Sequence, residues 1–218
     1  MKNSQKMGGI AALYQAAAYL VTMVFFFLVV DYSSVVDPVQ KVALLADNQA
    51  ILYILHLVAY VILGVFLVVL ALALYERLKA GSPAMLKTAT AIGLIWAALL
   101  IGSGMVTNIG IGTVVDLYGK DPAQAATVWL AIESVAGGLG GEFEILGSLW
   151  VLLVSWVALR AGGLPKALNY FGVVIGVAGI VTVVPALEMV GIIFGLGLIV
   201  WFIWLGIVML RGSRSAAA

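Results

Sequence analysis

The sequence predicts an all-α integral membrane protein, a bundle of six transmembrane helices with both termini cytoplasmic. Three observations predict it. Hydrophobic residues make up 64% of the chain and charged residues 10%, with a mean hydropathy of +1.19, far from the composition of a soluble domain. Apolar runs of about 20 residues, which at ~1.5 Å per residue cross a hydrocarbon layer of roughly 30 Å, recur along the whole chain. Lysine and arginine are unequally divided between alternate loops.

Lys2 and Lys6 precede the first apolar run, residues 8–30, which is too long for a signal-peptide core and ends without a cleavage pattern. Further spans are read at 50–75, 89–115, 138–159, 167–184 and 187–210, all within a single domain, 1–212. The tail 213–218 is low-complexity and is set aside as a remnant. One set of loops and ends collects Lys2, Lys6, Arg77, Lys79, Lys87, Arg160, Lys166, Arg211 and Arg214, whereas the other holds only Lys41 and Lys120. Cytoplasmic loops carry the excess of basic residues, so both termini are placed inside a cytoplasmic (inner) membrane. The outer side carries Asp31, Asp37, Asp47, Asp116 and Asp121, for which solvated loop ends and turns are a sufficient account. Lys6, Lys87 and Lys166 stand at near-equal spacing before outward-running spans; a repeat of three hairpins or the membrane thickness alone explains it. Asp121-Pro122 has the form of a helix start, with a capping carboxylate and proline at the first position. Beyond it, residues 122–159 are either one long helix or an outer half-helix joined to the fourth span by a glycine hinge at Gly137, Gly138, Gly140 and Gly141.

Composition also excludes chemistries. A net charge of +1 leaves no basic surface for nucleic acid. The chain has no cysteine and one histidine, His56, which removes disulfides, thiolate metal centres, iron–sulfur clusters and poly-histidine sites. No P-loop, nucleophile elbow or dinucleotide fingerprint occurs. No cofactor is predicted; a metal dication held by His56 with carboxylates, or haem b on His56 as the single axial imidazole, is compatible with composition alone.

The residues that stand out are ionisable groups inside apolar runs, because each costs about 2.5–3.5 kcal/mol to insert and is a functional candidate by default. At ~1.5 Å per residue, Glu144, His56 and Glu188 stand about 24, 31 and 34 Å from Arg160, Arg77 and Arg211, which puts all three in the outer leaflet and Glu144 deepest. On a continuous helix Glu133, Gly137, Gly140, Gly141, Glu144 and Ser148 share one small-residue stripe, the kind of face that packs against other helices, while Glu142 points elsewhere. Span two aligns Tyr53, His56, Tyr60 and Gly64; span six aligns Glu188, Gly191 and Gly195; span three brings Ser103, Thr107 and Asn108 to the same depth. The expectation is a polar pocket built from Glu144, His56, Asn108 and Glu188, with Glu142 and Glu133 at its margin and Tyr53 and Tyr60 beside His56. Against it stands hydrogen-bonding glue between helices, worth on the order of 1 kcal/mol per bond, and an interfacial tyrosine belt around a structural histidine.

The succession G-G-E-F-E-I-L-G-S-L-W-V-L-L from Gly140, then L-P-K-A-L-N-Y-F-G from Leu164, a glycine-rich span ending at Pro185, and W-F-I-W-L-G-I-V-M-L before Arg211 together resemble a prokaryotic six-span membrane protein family known as domain of unknown function four-three-eight-six. The resemblance runs from Lys6 to Arg211 and implies a six-helix membrane protein with no assigned activity, so no site residue comes with it.

The leading functional expectation is non-enzymatic: binding or translocation of a small lipophilic or cationic molecule, with Glu144 supplying charge and His56 tuning it with pH. The alternatives are a membrane-embedded enzyme using Glu144 and His56 as base and acid, and an accessory subunit packed in a larger membrane complex. The partners expected are the bilayer, a small molecule or lipid, and a homo-oligomeric or larger assembly, for which the glycines at 172, 176, 179, 191 and 195 serve a neighbour as readily as their own bundle. Because the chain lacks cysteine, orientation is directly testable. A membrane-impermeant maleimide should label Lys120→Cys in intact cells, and Lys79→Cys and Lys166→Cys only after lysis. Labelling of Lys166→Cys in intact cells would overturn the six-span topology.

Overall fold

The computed structural model describes residues 2–26, 30, 32–80, 83–141, 145–187 and 189–215. Every element among them is helical: α1 (Lys2–Val24), α2 (Pro38–Asp47), α3 (Gln49–His56), α4 (Leu63–Leu78), α5 (Pro83–Tyr118), α6 (Pro122–Ala136), α7 (Ile145–Ala161), α8 (Lys166–Val181) and α9 (Val190–Ser215). Short 3₁₀ turns lie at Tyr32–Ser34 and Pro185–Leu187, and π-helical turns at Leu57–Ile62, between α3 and α4, and at Gly137–Gly141, after α6. Helices are the expected outcome because hydrocarbon offers no partner to a backbone N–H or C=O, and only a helix satisfies both within one segment.

Among the described residues, five stretches are long and apolar enough to cross a bilayer: Asn3–Val24, Gln49–Leu78, Ala84–Tyr118, Pro122–Ala161 and Val190–Gly212. The fifth predicted span, 167–184, is the shorter apolar helix α8, Lys166–Val181, of 16 residues, or about 24 Å at ~1.5 Å each. The residues between the first two spans hold α2, which loop composition did not suggest. Asp37 starts it: its carboxylate Oδ1 accepts from the Val39 and Gln40 amides at 2.8 and 2.9 Å, with Pro38 at the first position. Asp121 caps α6 in the same way through the Gln124 amide at 2.9 Å, as its sequence predicts.

The two descriptions of residues 122–159 are decided at Gly140. Its φ of 125° lies in a region that glycine alone adopts without strain, so α-helical geometry does not run unbroken from α6, which ends at Ala136, into α7, described from Ile145. The continuous stripe from Glu133 to Ser148 depended on an unbroken 100° step and does not exist as one helical face.

The chain forms two compact units. The first comprises Met1–Ala17, Gly64–Ala98 and Phe143–Ala218. Its centre is aromatic: Trp150 packs on Trp96, Trp201 and Phe202 with ring centroids 5.8, 5.9 and 6.4 Å apart, and all four are almost fully buried. Around them α8 packs on α7 and α9. Here the glycines of span five serve their own bundle. At Gly176 a β-carbon would lie 2.9 Å from the Ser148 carbonyl oxygen and 3.0 Å from the Leu152 amide, both backbone of α7, and at Gly179 it would meet the Phe194 ring at 2.8 Å. Gly195 differs, with nothing within 4 Å. The buried face of α9 is instead Phe194, Leu198, Trp201, Phe202, Leu205 and Met209. The glycine stripe assumed to turn Glu188 inward is therefore not the packed face of α9.

The second unit comprises Ala18–Leu63 and Leu99–Glu142. Its core joins Phe25, Val42, Leu45, Leu52, Leu55, Ile111, Val114, Ala125, Ala126 and Trp129. Val42 and Leu45 anchor α2 in it, and α2 packs along α6.

Gly176→Ala should destabilise the purified protein by about 1–3 kcal/mol, because the obstructing atoms are backbone and α7 and α8 must separate. Gly195→Ala should be neutral or gain up to about 1 kcal/mol from helix propensity. Indistinguishable melting temperatures for the two variants in the same detergent would refute the close α7–α8 contact.

Candidate functional site

A cavity of about 250 Å³ lies within the second unit. It is bounded by Phe26, Tyr32, Leu45, Leu52, His56, Tyr60, Ser103, Thr107, Trp129, Glu133, Ala136 and Gly137. Helical spacing explains most of this lining. His56 and Tyr60, Ser103 and Thr107, and Trp129 and Glu133 are pairs four residues apart, each on one face of its segment. One glycine lets these segments meet. A β-carbon on Gly104 would lie 2.6 Å from Tyr60 Cβ and 3.3 Å from the His56 carbonyl oxygen, so α5 reaches the π-helical turn only because residue 104 has no side chain.

Among the described residues, Glu133 is the carboxylate that lines the cavity. The indole Nε1–H of Trp129 donates to Tyr32 Oη at 2.7 Å. Indole nitrogen is a donor only, so the phenol oxygen accepts and its own hydrogen is directed to Glu133 Oε1, 2.8 Å away. The same Oε1 lies 3.5 Å from Lys41 Nζ, and that ammonium stands 4.9 Å from the centroid of the Tyr32 ring. A carboxylate is thus held by an indole–phenol relay with a cation beside it.

His56 is buried, 8% exposed. Its Nδ1 lies 2.8 Å from the Leu52 carbonyl oxygen. A carbonyl can only accept, so Nδ1 carries hydrogen and the neutral ring keeps its lone pair on Nε2. The ring is stacked on Tyr60 with centroids 5.7 Å apart and meets Phe26 edge-on at 6.0 Å. Opposite, Ser103 Oγ donates to the Ala136 carbonyl at 2.9 Å, where the α-helical ladder gives way to the π-helical turn and Gly140 leaves helical geometry. The Thr107 hydroxyl is turned back on the Ser103 carbonyl at 2.9 Å.

Of the predicted site residues, the cavity brings together His56, Tyr60 and Glu133. Tyr53 and Asn108 are joined to each other beside it: Asn108 Nδ2 donates to the Tyr53 carbonyl at 3.3 Å, and Gln49 Nε2 to Tyr53 Oη at 3.0 Å. Asn108 Oδ1 is buried with no hydrogen-bond partner among the described residues. Glu142, Glu144 and Glu188 lie outside the described residues. Reading the sequence missed Tyr32, Trp129 and Lys41. Trp129 carried a signal, an aromatic donor one turn before Glu133; Tyr32 and Lys41 carried none, since they stand in a connection whose path only folding defines. Among the described residues no three His, Asp or Glu side chains converge, so no metal-ligand set is assigned.

Residues 15–210 match the model of a family described as Domain of unknown function (DUF4386). No curated protein and no solved structure matches the chain.

Tyr32→Phe should cost about 1–3 kcal/mol, because it leaves the buried Trp129 N–H without its acceptor and removes the phenol hydrogen from Glu133. Thermal unfolding in detergent tests it; a melting temperature equal to that of the wild type would dismiss the relay as a stabilising element.

Proposed function

For this chain, which belongs to the DUF4386 family, we propose a non-enzymatic role: it binds, and in translocation releases to the other side, a small lipophilic or cationic molecule in the cavity of its second unit. The observation that carries the reading is the lining itself. Aromatic rings from Phe26, Tyr32, Tyr60 and Trp129 line a space whose described lining also holds the Glu133 carboxylate and the His56 imidazole. Ligand sites are concave and mostly apolar, with a few polar groups that fix orientation, and aromatic faces next to a carboxylate attract organic cations. At ~30 Å³ per water the space equals roughly eight waters, the scale of a small organic molecule.

The same reading places the protein in a cytoplasmic membrane with six crossings and both termini inside, counting α8 as a crossing. Its support is the division of lysine and arginine among the loops. The cavity's segments adjoin Asp37, Lys41, Asp116 and Lys120, the loops which that rule puts outside. His56 would link occupancy to protons, since an imidazolium in the same lining would repel a bound cation.

The test is equilibrium binding of benzyltrimethylammonium to the purified full chain in detergent. Saturable binding is expected, reduced at least tenfold in Glu133→Gln with the melting temperature retained. Failure of both this cation and its uncharged isostere neopentylbenzene to bind saturably would sink the proposal.

A further inference from the structure

The ammonium of Lys41, a residue outside the cavity lining, stands against two residues that do line it, Tyr32 and Glu133. It is 4.9 Å from the Tyr32 ring centroid and 3.5 Å from Glu133 Oε1, the two contacts by which an aromatic face and a carboxylate hold an organic ammonium. Both partners are oriented independently of it: Trp129 donates to the Tyr32 oxygen, which donates to Glu133. The lysine itself is loosely engaged. Charge-assisted N–H···O contacts settle at about 2.7–2.9 Å, well inside the distance to Lys41, and the side chain remains 22% exposed. Its backbone, in contrast, is fixed, because α2 is capped by Asp37 and anchored by the buried Val42 immediately after Lys41 and by Leu45. A fixed stem with a loosely held, partly exposed head is a group that can leave without unfolding its helix.

From this geometry we infer that Lys41 is a tethered occupant of the cavity's cation subsite, displaced when an organic ammonium binds to the Tyr32 face and Glu133. The inference rests on the ligand-binding reading above and narrows it to a class: a monovalent organic ammonium with an apolar, preferably aromatic, body that the rings of Phe26, Tyr60 and Trp129 receive. Two ammonium groups at one carboxylate repel each other, so ligand and Lys41 exclude one another. Neutral molecules of the same shape meet no such competitor.

The experiment extends benzyltrimethylammonium binding to Lys41→Gln and Lys41→Met, with neopentylbenzene as the uncharged control. Both variants should bind the cation about tenfold or more tightly than the wild type, leave the affinity for neopentylbenzene unchanged, and lose the cation when combined with Glu133→Gln. In the wild-type protein, saturating benzyltrimethylammonium should raise the rate at which an N-hydroxysuccinimide acetate ester acetylates Lys41, read by peptide mass spectrometry. This measurement does not depend on either variant folding. Unchanged or weaker cation affinity in the lysine variants, or an acetylation rate unaffected by the ligand, overturns the tethered-occupant inference while the cavity reading stands. Absence of saturable binding of both probes in all proteins overturns the reading and the inference together.

Discussion

Hydrocarbon cannot hydrogen-bond, and that constraint makes each apolar segment satisfy its backbone within a helix. Where α6 gives way to the π-helical turn Gly137–Gly141, the Ala136 carbonyl accepts from the Ser103 hydroxyl at 2.9 Å. Where α2 and α6 begin, Asp37 and Asp121 accept from first-turn amides. Threonines inside helices turn their hydroxyls back on the preceding turn, as Thr22, Thr90 and Thr107 do on Ala18, Leu86 and Ser103. At these points a side chain satisfies the backbone, and three irregular turns, carrying Tyr32, Tyr60 and Gly137, border the cavity. π-Helical turns recur at functional sites because they re-aim side chains within an otherwise regular helix; here one follows His56 directly and carries Tyr60.

The first unit answers a different problem. Between apolar helices in lipid, burial of apolar surface supplies no net drive, so close packing and hydrogen bonds hold the helices together. Gly176 and Gly179 bring α8 against α7 and α9, and the tryptophans at 96, 150 and 201 fill the space that remains. The glycines therefore act through dispersion contacts between nearby backbones. Gly195 lies outside this scheme, with open space where a β-carbon would go.

In the second unit, charge is held by arrangement. Glu133 is one-quarter exposed at its side chain and receives the hydroxyl of a tyrosine that is itself fixed by an indole. His56 spends its Nδ1 hydrogen on its own helix, which fixes the ring's orientation and leaves one nitrogen for chemistry. A carboxylate and an imidazole thus border one aromatic cavity with complementary capacities, one accepting and one able to gain a proton.

How much of this was legible in the residues follows from the range of the forces involved. Lipid acts on each side chain separately, so composition alone determined an all-helical membrane chain, and the order of its residues determined where most helices run, where Asp121 caps α6, and that His56, Tyr60 and Glu133 merit a functional reading. The resemblance in Gly140–Trp150, Leu164–Gly172 and Trp201–Leu210 determined the family, because it is a property of residue order. Facing was not legible where it rested on a constant 100° step. A single positive φ at Gly140 breaks that step, and glycine's missing β-carbon permits both a hinge and a close approach without saying which. Nor could the sequence join Tyr32 and Lys41 to Glu133, since hydrogen bonds act over about 3 Å between residues roughly a hundred positions apart. Tertiary packing alone decided which glycines touch a neighbour, which connection folds into α2, and which rings enclose the cavity. Those outcomes depend on the simultaneous placement of several segments, whereas the helices themselves depend on what surrounds each residue.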